Sequence, residues 1–484
     1  MIAISAVLAA SVPAAGLAQS SERGSIVSGP AGSNSLIGVS PNPSQNTPGE
    51  QLRSAANARA LPTVNTGLFP EIGNQLLDDG IDIHGGLLDH AVTNPSTGNI
   101  PGNTENLGIF RPDVDIDLGK LFGLQGGIFH AALTYWFSKS DIPGIIAQTG
   151  GSLDGYQTTP ILEASTLSRL TYEQLLMNKK LDVEVGRGNV HQYFFIPNSL
   201  DPFTYDAPLI NVNADFNSFP YALWMGRATY KLTPAWYLQG GIFEDAYARV
   251  VKNGWNFGTE GATGVQTIGE LGYRTNFRTE AYPANLEAGF VWNTRHGYNN
   301  LKGTAAVTTR ATTAADYPGG GVIVFQGAKV VARGPNRAGL PPVNLQIYSQ
   351  LDVAVDKPQP FDLDAAVGAN LTGAIPFRPA DILGLQARYL RLSAIEAAFE
   401  TRIHTLLNRR RFAGTQQRDA FQFEASYQIQ VTRYATLSLY GQYYVNPDDY
   451  FVPFFNRVPG NGFEAGTLLR IPLGPLLGTS VKPF

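Results

Sequence analysis

Charged residues in this chain recur at even spacings: Asp113, Asp115 and Asp117; Arg169 and Glu173; Asp182 and Glu184; Arg227 and Lys231; Glu270 and Arg274. Even spacing puts side chains on one face of a strand, so each set lines a wall rather than converging on a point. Glu287, Gln386 with Arg388, and Glu424 extend that wall on further alternating segments. Carboxylate acceptors beside guanidinium and ammonium donors replace water's hydrogen bonds to a polar solute, while the mixed charge limits net attraction for ions. Trp136 shares the parity of His130 and Thr134 and offers an aromatic face for stacking.

Other chemistries lack their signatures. The chain has six histidines, yet none forms a His-x-x-x-His pair with a neighbouring Glu, and there is no Gly-x-Ser-x-Gly elbow or Gly-x-x-x-x-Gly-Lys loop. His84 and His90 flank Asp89 without a ligand-like pattern, and the Asp113 series lacks the Gly and distal Glu of a calcium loop. Neither catalysis, a metal nor a cofactor is expected. Arg409, Arg410 and Arg411, after Arg402 and His404, read as a solvated loop that can touch anionic headgroups.

Positioning these residues on one wall requires many strands. Of 484 residues only 15% are charged and 11% are aromatic, with 52 Gly, a composition of pleated surfaces and tight turns. With no cysteine, disulfides, thiol catalysis and a lipidated N-terminal Cys are excluded. A net charge of -4 gives no basic field for nucleic acid. Residues 1–18, ending Gly16-Leu17-Ala18, read as a cleaved export signal, and 19–75, rich in Ser, Gly, Asn and Pro, as a low-complexity periplasmic tail or linker.

From about Leu76 the chain alternates apolar and polar residues in segments of about ten, about sixteen of them up to Leu473. In Ala284–Asn293, Leu286, Ala288, Phe290 and Trp292 oppose Asn285, Glu287 and Asn293; Gln346, Tyr348, Gln350 and Asp352 share a face, as do Gln422, Glu424, Ser426, Gln428 and Gln430. Aromatics gather at segment ends, as in Tyr135-Trp136-Phe137, Tyr443-Tyr444, and Phe451 with Phe454-Phe455. No window holds the ~20 apolar residues of a spanning helix. The expectation is an all-β fold, a transmembrane antiparallel β-barrel of about 16 strands over 76–473, in contact with outer-membrane lipid, with 474–484 as an extension. The connections 139–160, 189–218, 245–264 and 296–320 are too long for hairpins, and one of the longest is expected to constrict the lumen.

Arg169-Leu170-Thr171-Tyr172-Glu173-Gln174, then Leu181-Asp182-Val183-Glu184-Val185-Gly186-Arg187, resembles the Tyr-Glu-Gln and Gly-Arg strands of the carbohydrate-selective porins of the OprB family. Further similarity lies in Ala222–Gly241, in Gly373–Gly384, and in Phe423–Tyr427 leading to Gln442–Pro447. The resemblance implies a sixteen-stranded outer-membrane barrel that passes glucose and related small sugars passively, without cofactor. It also places Arg187 in the pore, although its parity is that of the apolar side. After Arg187 the chain departs from the family's acidic continuation with Gly188-Asn189-Val190-His191-Gln192. A porin for other solutes, a barrel enzyme or adhesin, and a soluble secreted β protein stay open as alternatives at this point.

Overall fold

The structure is a computed structural model and describes residues 68–138, 151–153, 165–190, 193–195, 213–214, 222–246, 253–258, 262–277, 279–296, 318–335, 342–355, 359–407, 414–432, 434–450 and 457–479. The export signal, nearly all of the tail, most of 139–160, Arg409–Arg411 and the Phe451–Phe455 cluster lie outside the described residues.

Sixteen antiparallel strands close into a barrel in which every strand pairs with its sequence neighbours and the last pairs with the first. They are β1 Ile81–Thr93, β2 Thr104–Asp117, β3 Gly127–Ser138, β4 Ser165–Leu176, β5 Leu181–Gly188, β6 Leu223–Lys231, β7 Trp236–Ala246 and β8 Ala262–Arg274. The circuit continues with β9 Ala284–His296, β10 Pro318–Arg333, β11 Asn344–Ala354, β12 Phe361–Thr372, β13 Ile382–Leu392, β14 Asp419–Thr432, β15 Ala435–Val445 and β16 Gly462–Pro472. Closure runs from Gly86 opposite Pro472 to Thr93 opposite Ala465. Closure leaves no sheet edge, which is what lets strands cross hydrocarbon with all backbone groups paired.

The period of two sorts side chains by face. Val185, Leu238, Ile242, Leu271, Leu286, Phe325, Ile347, Leu351, Val367, Leu385 and Leu439 are exposed on the outer wall, while the residues between them are buried toward the lumen. Three polar sets expected from alternation point inward: Asn285, Glu287 and Asn293; Gln346, Gln350 and Asp352; and Gln422, Glu424 and Gln428. Asp117 departs from its series. It accepts from the Gly119 and Lys120 amides as the N-cap of a short helix, α2 (Leu118–Phe122), and so leaves the wall to Asp113 and Asp115.

Alternation begins at Ile81 rather than Leu76, because residues Pro70–Asp79 form a helix, α1. Proline opens that helix, and Gly80, in the left-handed region, ends it. Lys120 Nζ donates to the Leu77 carbonyl at 2.6 Å. A second unanticipated helix, α3 (Ala394–Leu406), lies between β13 and β14. Its Ser393-x-x-Glu396 start is a helix-capping signal embedded in a chain dominated by alternation; Ser393 accepts from the Glu396 amide. The last strand ends at Pro472 and passes into α4 (Leu473–Leu477), after which the Gly478 carbonyl lies so close to Gly73 of α1 that a β-carbon there would sit 2.4 Å from it.

Connections are short at one end of the barrel, as at 177–180 and 232–235, and long at the other, as at 139–164, 189–222 and 393–418. In outer-membrane barrels short turns face the periplasm and long loops the outside. Two expected loops are shorter than the sequence suggested, since β7 extends to Ala246, β8 starts at Ala262 and β10 starts at Pro318.

Gly85 has φ of +85°, and a β-carbon there would lie 2.1 Å from the Arg111 carbonyl oxygen on the neighbouring strand. Gly85→Val is therefore expected to destabilise the barrel by roughly 2 kcal/mol or more. The measurement is the temperature or urea concentration at which the heat-modifiable folded band is lost, which should fall.

Candidate functional site

The lumen wall from β1 to β6 carries charged residues joined in successive groups of hydrogen bonds. Arg111 Nε donates to Asp113 at 3.1 Å, and His84 Nε2 lies 2.9 Å from Asp115. Asp115 reaches His130 Nδ1 at 2.5 Å, and His130 Nε2 lies 2.9 Å from Glu173. Glu184 sits opposite Glu173 in the ladder and is the hub of the next group of bonds. Arg169 donates to its Oε1 through Nε and Nη2 at 3.0 and 2.6 Å, and Arg227 to its Oε2 at 2.9 and 2.6 Å. Thr171 donates to Oε1 at 2.5 Å. Arg227 also reaches Asp182 at 3.2 Å. Planar guanidinium groups suit this sharing, because each presents a fork of donors to a carboxylate.

The long connection after β5 supplies the next component. β5 is only 8 residues long, and beyond its end Leu167 of β4 bonds instead to Asn253 and Ala222. The chain turns inward at Val190, and Tyr193, Phe194 and Phe195 are buried against Met225, Phe243, Ile268 and Val291 on the inner wall. Tyr193 donates its hydroxyl to Glu184 at 2.9 Å, and its ring stands 4.9 Å from the Arg227 guanidinium carbon and 5.8 Å from that of Arg169. Burial raises the phenol's pKa, so the hydroxyl stays a donor. Gln239 donates to the Tyr193 carbonyl at 2.7 Å and the Phe195 amide to Glu270 at 3.3 Å, which pins both ends of the turn.

Further round the barrel Tyr237 bridges Glu270 and Glu287 at 2.5 and 3.2 Å, and Gln326 donates to Glu287. In later strands, Arg388 makes a two-pronged pair with Asp364 at 3.0 and 2.7 Å, and Gln442 donates to Glu424 at 2.9 Å.

Arg169, Glu173, Asp182, Glu184 and Arg227 thus form one cluster, joined through Tyr193 and Phe195 to Glu270 and Glu287, while Arg388 and Glu424 stand on other sectors. Lys231 and Arg274 lie on inward positions at the short-turn end of β6 and β8. The charge pairs join adjacent strands. Arg187 is corrected: it lies on the outer parity with Val183 and Val185, donates to the Ala222 carbonyl at 2.6 Å, and is held 5.4 Å from the Trp224 ring and 5.2 Å from the Phe257 ring. Gly186, with φ of +141°, does not return it to the lumen. His84, His90 and Asp89 do not converge either, since His90 bonds Tyr440 and Asp89 accepts from Asn106 on the outer face.

Sequence reasoning missed Tyr193, Tyr237, Asp364 and the bridging role of the two histidines. Asp364 and Tyr237 were legible in principle, being on the inward parity of their strands; Tyr193 obeys no period, and only its position in a long connection hinted at it.

A closed barrel with a polar lumen and an inserted loop defines an outer-membrane porin, a channel and not an enzyme. Residues 103–469 match the model described as "Carbohydrate-selective porin, OprB family", and the chain belongs to that family. A high-pH structure of Pseudomonas putida OprB superposes with a TM-score of 0.67 at 19% identity, covering 82% of this chain and 95% of that one. An anion-selective porin from Comamonas acidovorans, at 12% identity, gives a TM-score of 0.42 over 81% of this chain and 98% of that one. Among curated proteins none matches the chain.

Removing the Glu184 carboxylate strips the partner from two buried guanidinium groups, a change expected to cost about 3–5 kcal/mol. Glu184→Ala in a planar bilayer is expected to shift the zero-current potential in a salt gradient toward anion preference. An unchanged potential with a folded barrel would mean that this cluster does not set the field in the lumen.

Proposed function

We propose that the chain is a passive outer-membrane channel for small neutral sugars, with monosaccharides such as glucose as the favoured solutes. The observation that carries this reading is the Glu184 hub, where two guanidinium groups, carboxylates and the Tyr193 hydroxyl stand together beside the inserted turn. The groups of the hub are buried and satisfy one another, so their part in this reading is to hold the inserted turn against the wall, and the turn narrows the passage to small solutes. Opposite charges set side by side attract ions of neither sign strongly, which suits a neutral solute. Passage along such a wall needs no energy source, so flux runs down the concentration gradient.

Membership of a carbohydrate-selective family supports the sugar class, and the inserted turn supports a small solute. A channel for other small polar solutes would share the barrel but not the sugar preference. Purified protein in planar bilayers is expected to give stepwise ion current that falls reversibly as glucose is added. Current untouched by glucose and by other neutral monosaccharides would leave a porin of another solute class, and absence of current would remove the channel itself.

A further inference from the structure

Four of the long connections meet in one buried knot of hydrogen bonds that the sugar pathway does not use. Asp449, between β15 and β16, accepts from Asn99 Nδ2 of the β1–β2 connection at 3.0 Å and lies 3.1 Å from His404 Nε2 on α3. Its amide donates to Glu400 of α3 at 3.1 Å. Asp448 accepts from the amide and hydroxyl of Ser152, in the β3–β4 connection, at 3.0 and 2.7 Å, and from the Tyr450 amide at 3.1 Å. All of Asn99, Ser152, Glu396, Glu400, His404, Asp448 and Asp449 are buried.

The charge in this knot is lopsided. The charged groups acting on Glu400 are Asp448, Glu396 and Asp449, and Asp449 likewise acts on Asp448. His404 is committed to Asp449. One oxygen each of Glu400 and Asp448 finds no hydrogen-bond donor among the described residues. Several ionised carboxylates cannot share a dry space without a cation, and the low-charge arrangement is one in which some carry protons.

The knot also reaches the connection between β5 and β6. Tyr450, two residues from Asp448, packs on Phe361 with ring centroids 5.1 Å apart. Phe361 exchanges two hydrogen bonds with Asn213, at 2.7 and 3.2 Å, and Asn213 belongs to the same β5–β6 connection as Tyr193.

We propose that this four-loop knot is a proton-operated latch on the outer mouth: with Asp448 and Glu400 neutral the loops pack together, and ionisation of the two drives them apart and loosens the connection that carries Tyr193. The proposal rests on the channel reading for its consequence, though not for its chemistry. Burial pushes Asp448 up to about 6, with Asp449 adding and the Ser152 and Tyr450 bonds opposing. Burial, then Asp448, Glu396 and Asp449, push Glu400 well above the carboxylate range. A carboxyl whose pKa is raised in the packed state favours that state while protonated and penalises it as pH rises from the ordinary range through the raised value. Packing is thus strongest at acid pH and lost toward neutral and alkaline pH, with the packed-to-open ratio changing up to about a hundredfold through Asp448 alone.

The chain has no cysteine, so a pair of nitroxide labels can be placed at Leu406→Cys on α3 and Gly460→Cys before β16, where an added side chain meets nothing within 4 Å. In the folded, heat-modifiable full-length protein, the inter-label distance distribution is expected to be narrow at pH 5 and longer and broader at pH 8. With Asp448→Asn and Glu400→Gln together, which keep the acceptors for Ser152 and the Asp449 amide, it should stay narrow at both. Asp448→Asn alone should move the midpoint of the change to higher pH and serves if the double variant does not fold. Identical distributions at the two pH values in the parent, or a response undiminished in the variants, would overturn the latch. This readout needs no transport, so its failure is distinct from failure of the sugar-channel reading.

Discussion

Everything in this molecule depends on the pairing of β1 with β16. In hydrocarbon an unpaired backbone amide or carbonyl costs several kcal/mol, so a sheet that crosses a membrane has to close on itself. The antiparallel register from Gly86–Pro472 to Thr93–Ala465 completes that closure. Once the sheet is closed, the two-residue period has only two destinations: lipid for Leu238, Leu271 and Phe325, and lumen for Gln239, Glu270 and Gln326. A chain with few charges can then concentrate many of them in the lumen, and there they must satisfy one another.

That requirement explains the Glu184 hub. Polar groups forced into the interior form shared hydrogen bonds between adjacent strands, and the inserted turn contributes a further donor from Tyr193. The short β5 is the geometric cause: by ending at Gly188 it frees the chain to enter the barrel, where a β-carbon on Gly241 would sit 3.1 Å from the Phe194 ring and one on Gly289 2.8 Å from the Phe195 ring. Wall and turn therefore specify each other. The knot at Asp448 and Glu400 is built in the same way from loops, and among its described residues carboxylates predominate.

The parts of this arrangement that were legible in the sequence are those governed by period. The strands around Asn285–Asn293 and Gln346–Asp352 carry their inward and outward faces openly, and they determine the barrel, the strand number and most lumen residues. Family likeness was less reliable where it opposed the period: it put Arg187 in the pore, whereas parity alone places it outside, beneath Trp224 and Phe257. Tyr193 and α3 were hidden for a different reason. Tyr193 lies in a long connection pinned by residues remote in sequence such as Gln239 and Glu270, contacts that no local spacing encodes, and α3 is held by Asp449 with only its Ser393-x-x-Glu396 cap as a local signal. Pairing partners were half visible, since the alternation gives the face but the strand-to-strand register decides that Arg169 meets Glu184 and Arg388 meets Asp364.

Liposome swelling with Tyr193→Ala against a series of neutral sugars tests most directly whether the turn pinned at Glu184 sets the size of solute the barrel passes. The parent is expected to admit monosaccharides much faster than disaccharides, and the variant to narrow this difference by raising disaccharide entry. Equal size discrimination in both folded proteins would contradict that role for the turn and place the constriction elsewhere.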